Sequence, residues 1–323
     1  MTLRRESEGQ SHAAASSVTC PSCAAQAEYI GAIPHSKTFA GRVLGEELEG
    51  GELWKCCACN LVFRHPRMTK DQIDRLYCAG SEDGWQTPAA SRTDWNLIRE
   101  WLAVRKGLKR ILDVGCFDGR LLEFLGRDYE WMGIEIHAEA ARRARARGVN
   151  VVSNDFGNLS RLNADVDVAM AVDVIEHSLD PRAFLASLAA CVRPGGYVIV
   201  TTGNTEAPTW RLMGSRYWYC HIAEHMSFIS PTWARHVAPR LGLEIEHVQL
   251  FSHGDGAASF KQRIYEASAN LVLRFAPSLF ALLRRFGVGG IDIARYPGLA
   301  FAPPYWMSAK DHMLVVFRKR SAP

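Results

Sequence analysis

Long apolar runs are missing from this 323-residue chain. The most apolar stretch, 269–283, is broken by Arg274 and Pro277 and is too short to span a bilayer. The opening residues MTLRRESEGQSHAAASSV hold no apolar core, so a secretory signal is not expected. Charge of one sign is scarce as well. Lys+Arg 38 against Asp+Glu 34 leaves +4, too little over the whole chain to imply nucleic acid by itself. The nine cysteines do not form the spread pattern of a secreted disulfide framework, because five of them sit in two tight clusters. A reducing, cytoplasmic setting is therefore expected. No internal repeat is visible.

What is present is an ordinary globular balance, 48% apolar and 22% charged, with length for about two domains. Residues 1–17 read as a disordered tail. Residues 18–66 carry the cysteine clusters. Residues 67–106 place Ile73, Leu76, Tyr77, Trp95, Ile98, Trp101 and Leu102 at helical spacing. From 107 onward short β-branched runs alternate with Ala/Arg/Leu-rich helical stretches. The runs are Arg110–Val114, Trp131–Ile136, Asn150–Ser153, Val166–Val174, Tyr197–Thr202, Leu243–Leu250 and Met313–Arg318. That alternation predicts an α/β fold, a seven-stranded doubly wound sheet over 107–323. An apolar helical insertion is expected over about 257–305, ahead of the last strand.

Cys20-Pro-Ser-Cys23 and Cys56-Cys57-Ala-Cys59 are two CxxC knuckles separated by residues 24–55. Each knuckle lets two thiolates converge on one tetrahedral ion, so Cys20, Cys23, Cys56 and Cys59 predict a closed, structural zinc site. Cys57 is the spare. A redox pair would sit at a helix start beside a βαβ unit, and neither pair does.

The loop Leu112-Asp-Val-Gly-Cys-Phe-Asp-Gly119 follows the first strand of the alternating region and opens a helix. Ligands bind at that edge of a doubly wound sheet. The spacing is DxGxxxG rather than GxGxxG, and the loop is acidic. Asp113 and Asp118 would repel a pyrophosphate but suit S-adenosylmethionine, which carries an ammonium and a sulfonium. Gly115, Cys116 and Gly119 would bring backbone close to it. Glu135, ending the second strand, is placed for the ribose hydroxyls. Asp155, after the third, is placed for the adenine amino group, with Ile136 or Phe156 against the ring. Asp173 ends the fourth strand and would contact cofactor or substrate.

The motifs LDVGCFDG, GIEI, NDF, AVDVIEHSLDP and RPGGYVIVTT occur in order over residues 107–205. Together they resemble the class I S-adenosylmethionine-dependent methyltransferases, with the ubiquinone-type O-methyltransferases as the similar subgroup. The CxxC…CCAC segment followed by NLVFRHPR and a Tyr-containing helix is similar to zinc-ribbon methyltransferases of sugar, glycan and natural-product pathways. Those include deoxysugar C-methyltransferases. Unlike in the deoxysugar enzymes, no further domain is expected after the last strand, which would point away from a nucleotide-sugar acceptor. The resemblance implies methyl transfer to a hydroxyl, or an activated carbon, of a small molecule or glycan precursor.

Two Glu-His pairs are candidates for the base, Glu176-His177 and Glu224-His225. The resemblance favours the second, since the deoxysugar enzymes keep their base in a segment similar to EHMSF. His221 is a third candidate, and a metal held by His177, His221 and His225 is an alternative use of the same residues. Trp210, Tyr217, Trp218 and Tyr219 would form an aromatic wall or a lid. Arg142, Arg143, Arg145 and Arg147 crowd one short helix without interleaved aromatics, the opposite of a single-strand nucleic-acid surface. The rival readings are an RNA methyltransferase and a catalytically inactive cofactor-binding scaffold. Residues 271–286 would serve as a lid, a homodimer face or a peripheral membrane contact.

Overall fold

The computed structural model describes residues 18–40, 42–78, 92–162, 165–253, 258–288 and 301–321. The expected tail over 1–17, linker residues 79–91, residues 254–256 and insertion residues 257 and 289–300 lie outside the described residues.

The N-terminal part is built from antiparallel strands. They are β1 (Ala27–Ile33), β2 (Ser36–Phe39), β3 (Arg42–Leu48), β4 (Gly51–Cys56) and β5 (Val62–His65). β2 and β3 make a hairpin of their own, while β1, β4 and β5 form a sheet. Two helices follow, α1 (Lys70–Cys78) and α2 (Thr93–Ala103). The 3.6-residue period of α2 buries Trp95, Ile98, Trp101 and Leu102.

The larger part alternates as its sequence pattern predicts, in the order β6 (Arg110–Val114), α3 (Arg120–Leu125), β7 (Glu130–Ile134), α4 (Ala138–Ala146), β8 (Asn150–Ser153), β9 (Val166–Val172), α5 (Pro181–Cys191) and β10 (Val192–Gly203). After β10 come α6 (Pro208–Met213), the two-residue β11 (Ser227–Phe228), α7 (Pro231–Val237) and β12 (Leu243–Phe251). The last elements are α8 (Phe260–Phe275), α9 (Pro277–Arg285) and β13 (His312–Lys319). The sheet order is β12-β13-β10-β9-β6-β7-β8. β13 is antiparallel to both its neighbours, and the other pairings are parallel.

Helices on both faces explain why the central strands read as continuous apolar runs. Ile111, Leu112, Val168, Ala169, Met170, Ala171, Val198 and Ile199 are all fully buried. β9 stops at Val172, two residues short of the expected Val174, because Asp173 turns left-handed (φ 52°). That turn swings the chain off the sheet at its carboxyl edge.

The cysteine-bearing sheet is not a free-standing module. β11, from beyond β10, pairs antiparallel with β5 through Ser227↔Phe63 and Phe228↔Val62, giving a four-stranded sheet β1-β4-β5-β11. Next to this join Arg64 is buried. Its Nε donates to the carbonyl of His225 (2.7 Å), and its Nη2 donates to those of Cys220 (2.6 Å) and Ile222 (2.8 Å).

Candidate active site

The carboxyl edge of β6 opens into a cavity of about 150 Å³, lined by Arg92, Trp95, Asp113, Gly115, Cys116, Phe117, Asp118, Arg120, Leu121, Val172 and Asp173. Gly115 holds φ 81°, and a Cβ there would stand 2.7 Å from Val174 Cγ2, so only glycine lets the loop lie this close to the β9 turn. Gly119 (φ 82°) answers to packing instead, since a Cβ would meet Val149 and the backbone of Ala144. The Cys116 side chain is buried toward Gly133, where an added Cβ would lie 2.5 Å from its Sγ.

The acidic residues of the loop differ from one another. Asp118 is held by Arg120 (2.8 Å) and Arg147 (3.7 Å), so its charge is already balanced. Asp113 is fully buried and its Oδ1 has no hydrogen-bond partner. Burial, with Glu135 nearby and Arg92 partly opposing, pushes its carboxyl up to about 7. Across the cavity Asp173 also leaves Oδ1 without a partner, while Oδ2 accepts from Arg92 at 2.7 Å. Arg92 also grips the buried Asp94. A buried carboxylate oxygen with no donor is costly, and two residues with such an oxygen lining one cavity call for a cationic or donor-rich ligand.

Glu135 accepts from the backbone N–H groups of Phe117 (2.9 Å) and His137 (2.7 Å), tying the glycine loop to the end of β7. Asp155 accepts from Gly157 N at 2.7 Å. Ile136, Asp155 and Phe156 are half-buried. They lie at the β7 and β8 ends, outside the lining of the cavity, so the sequence-predicted carboxylates divide between two neighbouring regions of one sheet edge.

Beyond Asp173 runs a train of imidazoles. The Tyr77 hydroxyl meets His177 Nδ1 at 2.6 Å. His177 and His225 pack edge to face at 4.9 Å between centroids. Tyr219 lies 4.3 Å from His225 and 5.3 Å from His312. His312 lies 4.6 Å from His253. His225 donates from Nδ1 to the Tyr219 carbonyl (3.2 Å), which leaves its Nε2 as the acceptor. Burial, helped by His177 nearby, holds its pKa well below the usual imidazole value, so this ring is neutral.

His312 is the opposite case. Burial lowers its basicity, but Asp311, bonded to Nδ1 at 2.9 Å, outweighs that and raises it. Tyr217 donates to the other Asp311 oxygen at 2.6 Å. Sequence reasoning missed Asp311, His312 and His253. It treated the ends of β6 to β9 as the site edge, but β13 is antiparallel, so Asp311 and His312 at its start reach that edge, as does His253 after the end of β12.

Neither acidic neighbour clamps its histidine. Both Glu176 oxygens accept hydrogen bonds, from Tyr219 (2.5 Å) and Thr202 (2.9 Å). Glu224 is buried, and its field falls on Arg64 and Tyr77. His221 stands apart from the train. It donates to the Ser215 carbonyl (3.0 Å), and burial pulls its pKa to about 4. The group able to share an ion is therefore Glu176, His177 and His225, without His221, and its oxygens and two of its ring nitrogens are already engaged. In a third group, Asp94, Asp173 and His253, Arg92 already supplies the cation. The aromatic residues pack as a wall, with Trp210 stacked on Tyr217 (4.9 Å) and Trp218 edge-on to Tyr219 (5.2 Å).

Cys20, Cys23, Cys56 and Cys59 have their sulfurs within 4.8 Å of one another, with Cys20–Cys59 at 3.6 Å and Cys23–Cys56 at 3.4 Å. A tetrahedron with Zn–S of about 2.3 Å spaces its sulfurs by roughly 3.8 Å. Backbone N–H groups of Ser22, Ala58 and Cys59 donate to the thiol sulfurs. Cys57 is exposed.

No helix among the described residues is long and apolar enough to cross a membrane. In shape, the chain is similar to a chain from the complex between the Haloferax volcanii Trm112 methyltransferase activator and a methyltransferase. That match has a TM-score of 0.49 at 17% identity, over 78% of this chain and 100% of the other. By sequence it is similar to the ubiquinone biosynthesis O-methyltransferase of Erwinia tasmaniensis, 32% identical over 131 residues, 36% of this chain and 54% of that one. The enzyme of the same name from Thiobacillus denitrificans is 29% identical over 166 residues, 46% of this chain and 71% of that one. The chain thus spans about half the length of the Erwinia relative. A family model described as a methyltransferase domain matches residues 92–248, the segment that carries α2, the glycine loop and the β7 and β9 turns. By that match the chain carries a methyltransferase domain over residues 92–248.

Proposed function

We propose that this protein moves a methyl group from S-adenosylmethionine to a hydroxyl, or an activated carbon, of a small molecule, sugar or glycan precursor, with His225 as the proton acceptor. The observation that carries the reading is the pair of partnerless buried oxygens, Asp113 Oδ1 and Asp173 Oδ1, beside the Gly115 turn. This donor set fits a ligand with a cationic amino-acid end and would reject a pyrophosphate. Asp113 and Asp173 would hold the cationic end, with backbone at Gly115 and Cys116 alongside. Glu135 would take the ribose hydroxyls. Asp155 would take the adenine amino group, between Ile136 and Phe156. The bound cofactor supplies a methyl carbon activated by positive sulfur.

The chain's own task is then to align the acceptor and receive its proton, and orientation alone can supply roughly 7–11 kcal/mol. A neutral His225 with a free Nε2 suits that role. His177, steadied by the Tyr77 hydroxyl, and Glu224 would position the acceptor. A second reading is favoured by one observation, the Asp311–His312 pair. An imidazole already oriented and made more basic by a carboxylate is built to take a proton, so His312 is the rival base. An RNA acceptor draws no support from the arginine helix, where Arg142 pairs with Glu139 and Arg147 with Asp118 and Glu123.

The four-cysteine cluster would bind zinc as a structural ion. The eight cysteines with described side chains are all free, which suits a reducing, cytoplasmic compartment.

Cofactor affinity tests the reading through its pH dependence. A protonated Asp113 cannot pair with an ammonium. Binding of S-adenosylhomocysteine should therefore strengthen as pH rises from 6 to 8 and level off above about 7, by up to about tenfold per pH unit on the acid side. Asp113→Asn should lose roughly 10- to 100-fold in affinity, the range of a charged hydrogen bond, and flatten the profile. Isothermal calorimetry decides it: an unchanged Kd in Asp113→Asn removes the assignment.

A further inference from the structure

We propose that the α8–α9 hairpin docks on the surface of an anionic lipid bilayer. Ten of the seventeen large apolar side chains exposed among the described residues lie in 260–288. They are ordered along the helices. At about 100° per residue, Phe260, Ile264, Leu271 and Phe275 fall within about 60° of one another on α8. Phe275 is 70% exposed and Phe286, at the end of α9, is 79% exposed.

The amphipathicity of α8 is inverted. Its inward face carries Glu266 and Asn270 beside Leu273. Glu266 accepts from Gln262 and from Ser308 N and Oγ, and Asn270 donates to the Glu266 carbonyl. α9 buries Arg284 beside Phe280 and Ala281. A helix pair that buries Glu266, Asn270 and Arg284 and presents an aromatic and leucine stripe outside is built to be covered by something apolar.

Charge identifies the cover. Residues 258–288 contain five Lys or Arg and one carboxylate, and that carboxylate is the buried Glu266. Their balance of +4 equals that of the whole chain. Lys261, Arg274 and Arg285 rim the stripe and are exposed. A two-fold contact with a second copy would set these cations against themselves. An anionic bilayer offers acyl chains to the stripe and phosphates to its rim. This surface is independent of the methyl-transfer chemistry and needs neither His225 nor Asp113.

Sedimentation of the full chain with vesicles tests the proposal. Equimolar phosphatidylglycerol and phosphatidylcholine should bind at least tenfold more protein than phosphatidylcholine alone, and binding should weaken from 0.05 to 0.5 M salt. The double variant Phe275→Ser, Phe286→Ser replaces two exposed side chains, so it should keep the wild-type melting temperature and S-adenosylhomocysteine affinity while losing at least tenfold in vesicle binding. Absence of binding to anionic vesicles overturns the proposal, as does a double variant that binds like wild type. A wild-type dimer by light scattering that the double variant dissociates, without vesicle binding, would assign the stripe to a second copy instead. Failure to bind S-adenosylhomocysteine would count against the methyltransferase reading alone.

Discussion

Replacing His225 with alanine should lower kcat on the true acceptor by about 10²–10⁴-fold, the range expected when a positioned base is removed, and leave S-adenosylhomocysteine affinity within a factor of about two. The split follows from position. His225 sits among His177, Tyr219 and Phe228, whereas Asp113 and Asp173, each with one partnerless oxygen, line the cavity by Gly115. Because burial keeps the ring neutral, the wild-type rate should show no loss through pH 6–7 from protonation of this histidine.

His312→Gln provides the contrast. If His312 were the base, the larger loss would move to that variant. The acid limb of the wild-type profile would also lie above the ordinary histidine range, since Asp311 raises its pKa. Single-turnover kinetics with cofactor saturating would separate the two residues. A near-wild-type rate in His225→Ala removes it from the chemistry.

Loss of the four-cysteine cluster should be the largest effect on folding. Zinc-finger peptides gain on the order of 10–16 kcal/mol from their ion, and here the sulfurs pack in one core with Leu61 and Phe63, so losing the ion also loosens that core. Cys56→Ser, or chelation of the metal, should melt β1, β4 and β5. The damage should then cross into catalysis. β11 would lose its partner strand, and the carbonyls of Cys220, Ile222 and His225 would lose Arg64. Turnover should fall more steeply than cofactor affinity, because the glycine loop belongs to the other sheet.

Arg64→Met isolates the clamp from the metal. The Cys220 and His225 carbonyls left without Arg64, and that of Ile222 left with the His225 N–H alone, should cost about 2 kcal/mol or more, with zinc content unchanged by elemental analysis. Wild-type stability in Arg64→Met would show that the carbonyls find other partners. A wild-type protein that carries no zinc would remove the ion from the account.

Much of this was readable in the residues. The β-branched run Arg110–Val114 and the run Asn150–Ser153 are strands with those bounds, because their β-branched residues stand out between helical stretches. The CxxC spacing brought four sulfurs together because a knuckle is a local turn. Long-range facts were not readable. Nothing near Arg64 announces that its acceptors lie 156–161 residues away. Asp311 and His312 precede a strand whose direction a linear pattern does not encode. For α8 the period was visible but the buried face was not, since a moment predicts the apolar side inward and here Glu266 and Asn270 face in. Asp118 read as part of the cofactor loop's acidity, yet Arg120 and Arg147 already neutralise it.

The pairing of β5 with β11 also sets an order of events on the ribosome. Arg64 emerges 161 residues before His225. At roughly 5–20 residues per second, its nascent sheet waits about 8–30 s for the strand that closes it. Through that interval the free side of β5 is an open template for any other extended segment. Early metal capture by the cysteines would fix β1, β4 and β5 in register while they wait. The ion would then guard the half-made protein against mispairing before it supports the finished one.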